Sequence, residues 1–131
     1  MAWDAIADIA AKVQSGEVTA ESLVSRSLKL MQEKASYNAI ITVNDNALER
    51  AKAIDARVKN GETIGRLAGV PYIAKDNYLT KGVETTAAAN ILKGFIPPYD
   101  ATAIKKLEAE GAILVGKANL DAFAHGSSTE N

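Results

Sequence analysis

Apolar residues recur at helical spacing in three segments of the first half of the chain. The first segment covers residues 3–13 and stops before Gly16, and the second follows Thr19, whose hydroxyl suits an N-cap. The third covers residues 47–58, carries its charges largely on the opposite face, and is followed by an Asn-Gly break. The pattern predicts three amphipathic helices.

Short apolar runs between and after these helices predict strands. Residues 39–43 are rich in β-branched side chains and end at Asn44, a suitable cap for the next helix. Residues 70–74 have the composition of a buried strand. Because proline cannot donate to a ladder, Pro71 must lie at the start of that strand or at a sheet edge.

A fourth helix and a third strand follow in the second half of the chain. Asp100 is a suitable N-cap for a helix that runs to Glu110, and residues 112–115 form the next apolar run. This alternation predicts an α/β fold, in which N-terminal helices precede part of a mixed, largely parallel sheet flanked by helices. Residues 1–61 would be a mainly helical first part, and residues 62–131 would begin the α/β core.

Size and composition favour one domain. A chain of 131 residues, 47% of them hydrophobic, can bury a single core. The formal charge of −1 gives no basic footprint for nucleic acid, and the lack of cysteine excludes disulfides and thiol chemistry. No apolar run approaches bilayer length, so we expect a cytoplasmic protein. The polar stretch at residues 126–131 follows no C-terminal helix, and we expect this chain to be the N-terminal portion of a single larger domain.

The most informative chemical feature is a continuous apolar stretch that ends on Lys75. A lysine takes a proton from a hydroxyl only in its neutral form, so its ordinary pKa of about 10.4 must be lowered by burial or by a neighbouring cation. The end of an apolar strand would supply that burial. The alternative is an ordinary lysine that is solvated or paired with the adjacent Asp76.

Three other features carry candidate chemistry. Residues 111–118 nearly match a phosphate-binding loop, but their centre is strand-like and Ala118 lacks the metal-binding hydroxyl. His125 is the only histidine, so we expect a structural or pocket-lining role for it and no metal site. Ser127 and Ser128 follow a glycine in a segment that could approach a ligand, although such serines are commonly turn residues.

Five motifs stand in a fixed order along the chain. They are GVPYIAKDN at residues 69–77, KG at 81–82, PPYDAT at 97–102, GKANLD at 116–121 and GSSTEN at 126–131. Together they resemble the amidase signature family, and the resemblance extends over essentially the whole chain. Within that family it is strongest for the amidase subunits of tRNA-dependent amidotransferases.

The resemblance implies a chemistry and a set of partners. Family members use a serine nucleophile, a second serine with a cis peptide that bridges it to a lysine, and that lysine as the base. Lys75 matches the lysine, whereas both serines are expected beyond Asn131, so the isolated chain should be inactive. Ser127 and Ser128 are then candidates for the substrate side of the pocket.

The resemblance also implies how the complete protein would act. It would hydrolyse glutamine and pass ammonia to a partner subunit that converts Glu-tRNA(Gln) to Gln-tRNA(Gln). ATP and magnesium would bind to that partner, and the tRNA would be contacted mainly by partner subunits.

Two other functions stay open. The chain could be a non-catalytic partner-binding module that keeps the amidase scaffold, in which case Lys75 would make an ordinary ion pair. It could also be a small metabolite-binding domain that uses the pocket near residues 126–131, and ligand-induced stabilisation would be the first support for that function.

Overall fold

The structure, a computed structural model, describes residues 3–129 as a small sheet with helices on both faces. The α-helices are α1 (Ile6–Gln14), α2 (Ala20–Glu33), α3 (Ala47–Lys59) and α4 (Thr102–Ala109). The strands are β1 (Ile40–Val43), β2 (Pro71–Lys75) and β3 (Ile113–Ala118). Short 3-10 turns cover Ala35–Tyr37, Asn90–Leu92 and Ala122–Ala124. Between residues 3 and 129, no helix has the length and apolarity needed to cross a membrane.

The sheet is mixed, and its last strand in sequence lies in the middle. The spatial order is β1-β3-β2, with β2 parallel and β1 antiparallel to β3. This confirms the predicted α/β architecture, including the placement of Pro71 as the first residue of an edge strand. The third strand extends past its expected end at Val115 and includes Lys117. That extension determines where the charges of the candidate site lie.

Two apolar clusters cover the two faces of the sheet. The larger packs the first three helices against β3, and its fully buried members include Val13, Ala20, Val24, Ala47, Ala51, Ile113 and Val115. Alanines on α3 leave room for close helix packing, while each buried Val or Ile side chain contributes roughly 1.5–3 kcal/mol. The smaller cluster joins α4 to the other face through Ala74, Val83, Ile104 and Leu114.

The structure confirms one of the predicted helix caps and contradicts two others. Thr19 accepts a hydrogen bond from the Ser22 amide at 3.1 Å, as predicted. Asp100 does not cap α4, because its carboxylate accepts from the Lys81 amide at 2.6 Å and ties two loops together. Asn44 accepts from the Asn46 amide at 3.1 Å, so it shapes the turn before α3 and is not the capping residue of that helix.

Gly69 lies where the chain from α3 turns into β2 and passes close to the opening helices. Its φ of +68° is in the left-handed region, which L side chains rarely adopt. A Cβ at this position would lie 2.9 Å from the Ala20 Cβ and 2.9 Å from Val13 Cγ1. Both the backbone conformation and the packing therefore require glycine at residue 69.

We expect Gly69→Ala to lower the free energy of unfolding by about 2–4 kcal/mol, since it combines left-handed strain with overpacking. Gly61→Ala is the matched control, because Gly61 has a φ of +79° but no atom within 4 Å of the added methyl. The control should cost only about 1 kcal/mol. Urea denaturation of both variants separates the two effects, and equal losses would contradict the packing argument.

Tyr72 carries its hydroxyl into the smaller cluster. Its Oη is buried and has no hydrogen-bond partner among residues 3–129. Burial raises the pKa of the Tyr72 phenol well above its ordinary value, and the nearby Glu108 carboxylate adds to that shift. The unfolded chain therefore releases this proton at lower pH than the folded protein does.

This shift predicts how Tyr72→Phe changes the pH dependence of stability. A raised folded-state pKa means that the contribution of Tyr72 is complete below pH 10 and is lost as the pH rises above that unfolded value. Near pH 7 the variant should lie within about 1 kcal/mol of the parent, because no hydrogen bond is lost. Above pH 10 its urea midpoint should fall less than that of the parent, and parallel midpoints over the whole range would refute the prediction.

Candidate functional site

The carboxyl ends of the two parallel strands bring distant parts of the sequence together. β2 ends at Lys75 and β3 ends at Ala118, and these two residues are paired across the ladder. The loops that follow, residues 76–88 and 119–129, touch where the Phe123 amide donates to the Ala87 carbonyl at 2.9 Å. In open α/β sheets this end of the strands is where ligands bind. We therefore place the candidate site here.

Lys75 stands at this end of β2 with its side chain exposed. Within residues 3–129, its ammonium makes no hydrogen bond or ion pair with any other residue. The adjoining cleft, lined also by Tyr78 and Leu107, measures about 200 Å³, which is below the 300–1,000 Å³ typical of ligand pockets. The expected burial of Lys75 is missing because residues 3–129 leave the face of β2 that carries Ile73 and Lys75 largely uncovered, and Ile73 is 45% exposed.

Asp76, the residue after Lys75, is completely buried and pairs with a different lysine. Its Oδ1 lies 3.0 Å from Lys117 Nζ, and both side chains are 0% exposed. Within the described part of the chain, that oxygen accepts no hydrogen bond of good geometry, so its contact with Lys117 is mainly between charges. Asp76 Oδ2 accepts from both the amide and the hydroxyl of Thr86. The alternative in which Asp76 neutralises Lys75 is therefore wrong.

The ammonium of Lys117 finds its hydrogen-bond acceptors on the loop after β2. In addition to Asp76, it donates to the Tyr78 carbonyl at 3.0 Å and to Thr85 Oγ1 at 2.8 Å. Burial lowers the pKa of Lys117, and the Asp76 carboxylate partly offsets that shift. Two hydrogen bonds and one contact between charges thus hold the ammonium in a site closed to water. The ammonium holds the loop 76–88 to the central strand.

A β-bulge directs Lys117 toward this loop. The β2–β3 register runs from Tyr72 opposite Leu114 to Ile73 opposite Gly116, so that Val115 has no partner on β2. A bulge of one residue changes the face to which the following side chains point. Lys117 is consequently paired with Ala74, whose side chain packs in the cluster beneath α4.

Strained backbone is concentrated where the two loops meet. Ala87 and Ala88 have φ of 50° and 53°, and Phe123 and Ala124 have φ of 55° and 61°. Such left-handed conformations in non-glycine residues cost on the order of 1–3 kcal/mol each and cluster at functional sites. The Thr86 hydroxyl, which donates to Asp76, also accepts from the Ala88 amide at 3.1 Å. The buried carboxylate therefore supports this strained turn directly.

The other predicted site residues lie on the loop after β3. His125, Ser127 and Ser128 are all exposed, and no hydrogen bond or ion pair among residues 3–129 joins either serine to Lys75. The Asp121 carboxylate accepts from the Thr129 amide at 2.6 Å and closes this segment into a turn. The structure therefore brings these residues to the same end of the sheet as Lys75 without assembling them into one site.

Pattern reasoning missed the residues that organise this end of the sheet. It considers Lys117 only within a rejected phosphate-loop match, and it does not single out Thr85 or Thr86. No local signal separates the two lysines, because Lys75 and Lys117 both stand near the end of an apolar run and only Lys117 is buried. The strand-like interpretation of residues 111–118 was itself confirmed.

Comparison with known proteins identifies the family. The sequence profile described as Amidase matches residues 22–131. The chain belongs to the amidase family. The A subunit of human mitochondrial glutamyl-tRNA(Gln) amidotransferase is 45% identical over 123 residues, which cover 93% of this chain and 23% of that protein. One of the glutamyl-tRNA(Gln) amidotransferase A subunits of Clostridium acetobutylicum is 52% identical over 103 residues, or 78% of this chain and 22% of that protein.

Solved amidase structures agree with this assignment. The native peptide amidase of Stenotrophomonas maltophilia superposes with a TM-score of 0.89 at 29% identity, covering 98% of this chain and 27% of the enzyme. A bacterial aryl acylamidase of the amidase signature family gives a TM-score of 0.88 at 27% identity, with coverages of 98% and 28%. The chain thus spans less than a third of the length of these relatives.

The buried ion pair between Asp76 and Lys117 should contribute to the stability of this amidase segment. Lys117→Met should lower the free energy of unfolding by about 3–5 kcal/mol, because it leaves the Asp76 carboxylate buried without its charge partner. The double variant Asp76→Asn with Lys117→Met removes both charges and should lose less than the sum of the two single variants. Urea denaturation of all four proteins measures the coupling, and additive losses would contradict a direct interaction.

Proposed function

We propose that the protein containing this segment is the glutamine-hydrolysing subunit of a tRNA-dependent amidotransferase. The observation that carries the proposal is the exposed Lys75 at the carboxyl end of β2, within the motif GVPYIAKDN. The identity of 45–52% to the A subunits of glutamyl-tRNA(Gln) amidotransferases favours glutamine as the amide over other amidase substrates.

In this proposal Lys75 is the base of a Ser-cisSer-Lys triad whose serines lie outside residues 1–131. Neutral Lys75 accepts a proton from the bridging serine, which takes one from the nucleophilic serine. The serine oxygen then bonds to the glutamine amide carbon, and the C–N bond breaks as the nitrogen leaves with a proton as ammonia. Water hydrolyses the acyl-serine to glutamate and regenerates both hydroxyls.

The remaining roles divide between this segment and its partners. Ser127 and Ser128 are exposed on the loop beside the strained turn, which supports a place for them on the substrate side. Ammonia passes to a partner subunit that amidates Glu-tRNA(Gln), and that partner holds ATP and magnesium. The near-zero formal charge of −1 supports a tRNA contact made mainly by partner subunits. Residues 1–131 alone should show no turnover.

The test is Lys75→Ala in the complete protein assembled with its partner subunits. Loss of the base should lower kcat for glutamine hydrolysis by about 10²–10⁴-fold while glutamine binding changes little. Steady-state ammonia release measures kcat and KM, and circular dichroism checks that the variant is folded. Lys105→Ala, at an exposed lysine on α4, is the matched control and should keep normal turnover.

Near-normal turnover of Lys75→Ala would overturn the proposal. If the parent complex hydrolyses no glutamine and yet requires this protein for assembly, the non-catalytic partner-binding function would replace it.

A further inference from the structure

We propose that Asp76, neutralised by the buried Lys117, is a positioning residue that fixes Lys75 relative to residues 119–129, the substrate-side loop that carries Ser127 and Ser128. The inference rests on the proposed function, because it assigns Asp76 a role exerted through Lys75. It concerns a buried ion pair that the triad chemistry itself does not use.

The first step is that Asp76 holds the end of β2 in place. Strand ends and loops are commonly the least stable parts of a fold. Here the Asp76 amide donates to the Ala118 carbonyl at 3.0 Å, which extends the ladder one residue beyond Lys75. The Asp76 carbonyl accepts from the Ala87 amide at 3.0 Å, and its carboxylate is locked by Lys117 and Thr86. The residue that follows Lys75 is therefore held through its amide, its carbonyl and its carboxylate.

The second step is that Asp76 pairs with Lys117 and therefore forms no ion pair with the adjacent Lys75. Successive side chains of a strand point to opposite faces, so Asp76 shares the face of Ala74 and Lys117 while Lys75 points away. The Asp76 carboxylate is bound by Lys117 and Thr86 and makes no ion pair with Lys75. The ammonium of Lys75 therefore stays available on the opposite face of the strand.

The third step links the same carboxylate to the other loop. Asp76 holds Thr86, and the Thr86 hydroxyl holds the amide of Ala88 in the strained turn. The Ala87 carbonyl in that turn accepts from Phe123, which lies on the loop that carries Ser127 and Ser128. Asp76 thus sets the distance between the end of β2 and the substrate-side loop. A displacement of about 1 Å at such a site costs on the order of 10²-fold in rate.

The experiment measures glutaminase kinetics in the complete, assembled protein for Asp76→Asn, Lys75→Ala and the double variant. Asp76→Asn keeps the shape of the side chain and removes its charge, and we expect kcat to fall by about 10–100-fold with KM within about twofold. If Asp76 acts through Lys75, adding Asp76→Asn to the Lys75→Ala variant should lower kcat no further.

Val24→Ala controls for simple destabilisation, because Val24 is fully buried on α2 and lies outside the candidate site. The urea midpoint of Val24→Ala is compared with that of Asp76→Asn. We expect Val24→Ala to keep the kcat of the parent protein. Should Asp76→Asn fail to fold, Thr86→Ala replaces it, since this variant removes one of the two Thr86 donors to the carboxylate. A smaller loss in kcat, again absent in the Lys75→Ala background, is then expected.

The outcomes separate this inference from the proposed function. Normal kcat in Asp76→Asn, or additive losses in the double variant, would overturn the positioning role even if Lys75→Ala is inactive. An active Lys75→Ala would overturn the proposed function itself. A fall in kcat that Val24→Ala reproduces at equal stability would assign Asp76 to folding alone and would also overturn the positioning role.

Discussion

The arrangement at the carboxyl end of the sheet depends on burying one ammonium and one carboxylate together. Moving each charge out of water costs several kcal/mol, and the pair persists only when the remaining donors and acceptors are also satisfied. Lys117 meets that requirement with the Tyr78 carbonyl and Thr85, and Asp76 meets it with Thr86. Few loop conformations provide all of these groups at once. The ion pair and its hydrogen bonds therefore constrain the course of residues 76–88.

Local patterns in the sequence predicted the elements of the fold well. Periodicity located the helices and strands, and Thr19 marked the start of α2. Pro71 was expected at a strand start or at a sheet edge, and it begins an edge strand. These predictions succeeded because each signal acts within a few residues of where it is read. The predicted cap at Asp100 failed because that carboxylate serves a residue 19 positions away in sequence, the amide of Lys81. Sequence alone does not show when a capping residue has a distant competitor.

The candidate site was predictable only in part, for a physical reason. Lys75 was singled out as the end of an apolar stretch and its catalytic role stays a prediction, while the expected burial occurs at Lys117 and not at Lys75. Which lysine becomes buried depends on the β2–β3 register and on the unpaired Val115, and neither follows from periodicity. Residues 111–118 read simply as an apolar strand with a glycine near its end. The buried network joins residues separated by up to 41 positions, from Asp76 to Lys117, so it emerges only once the sheet is assembled.

The strand order also bears on how this region is made in the cell. β3 lies between β1 and β2 but is synthesised after both, and its Ile113 and Val115 complete the core beneath the first three helices. Until that strand leaves the ribosome, neither β1 nor β2 has its ladder partner within residues 3–129, and the first three helices lack part of the surface that they bury. The nascent chain therefore passes through a stage of exposed apolar surface, when chaperone binding competes with premature association. Translation as far as Ala118 is the minimum for this sheet to close.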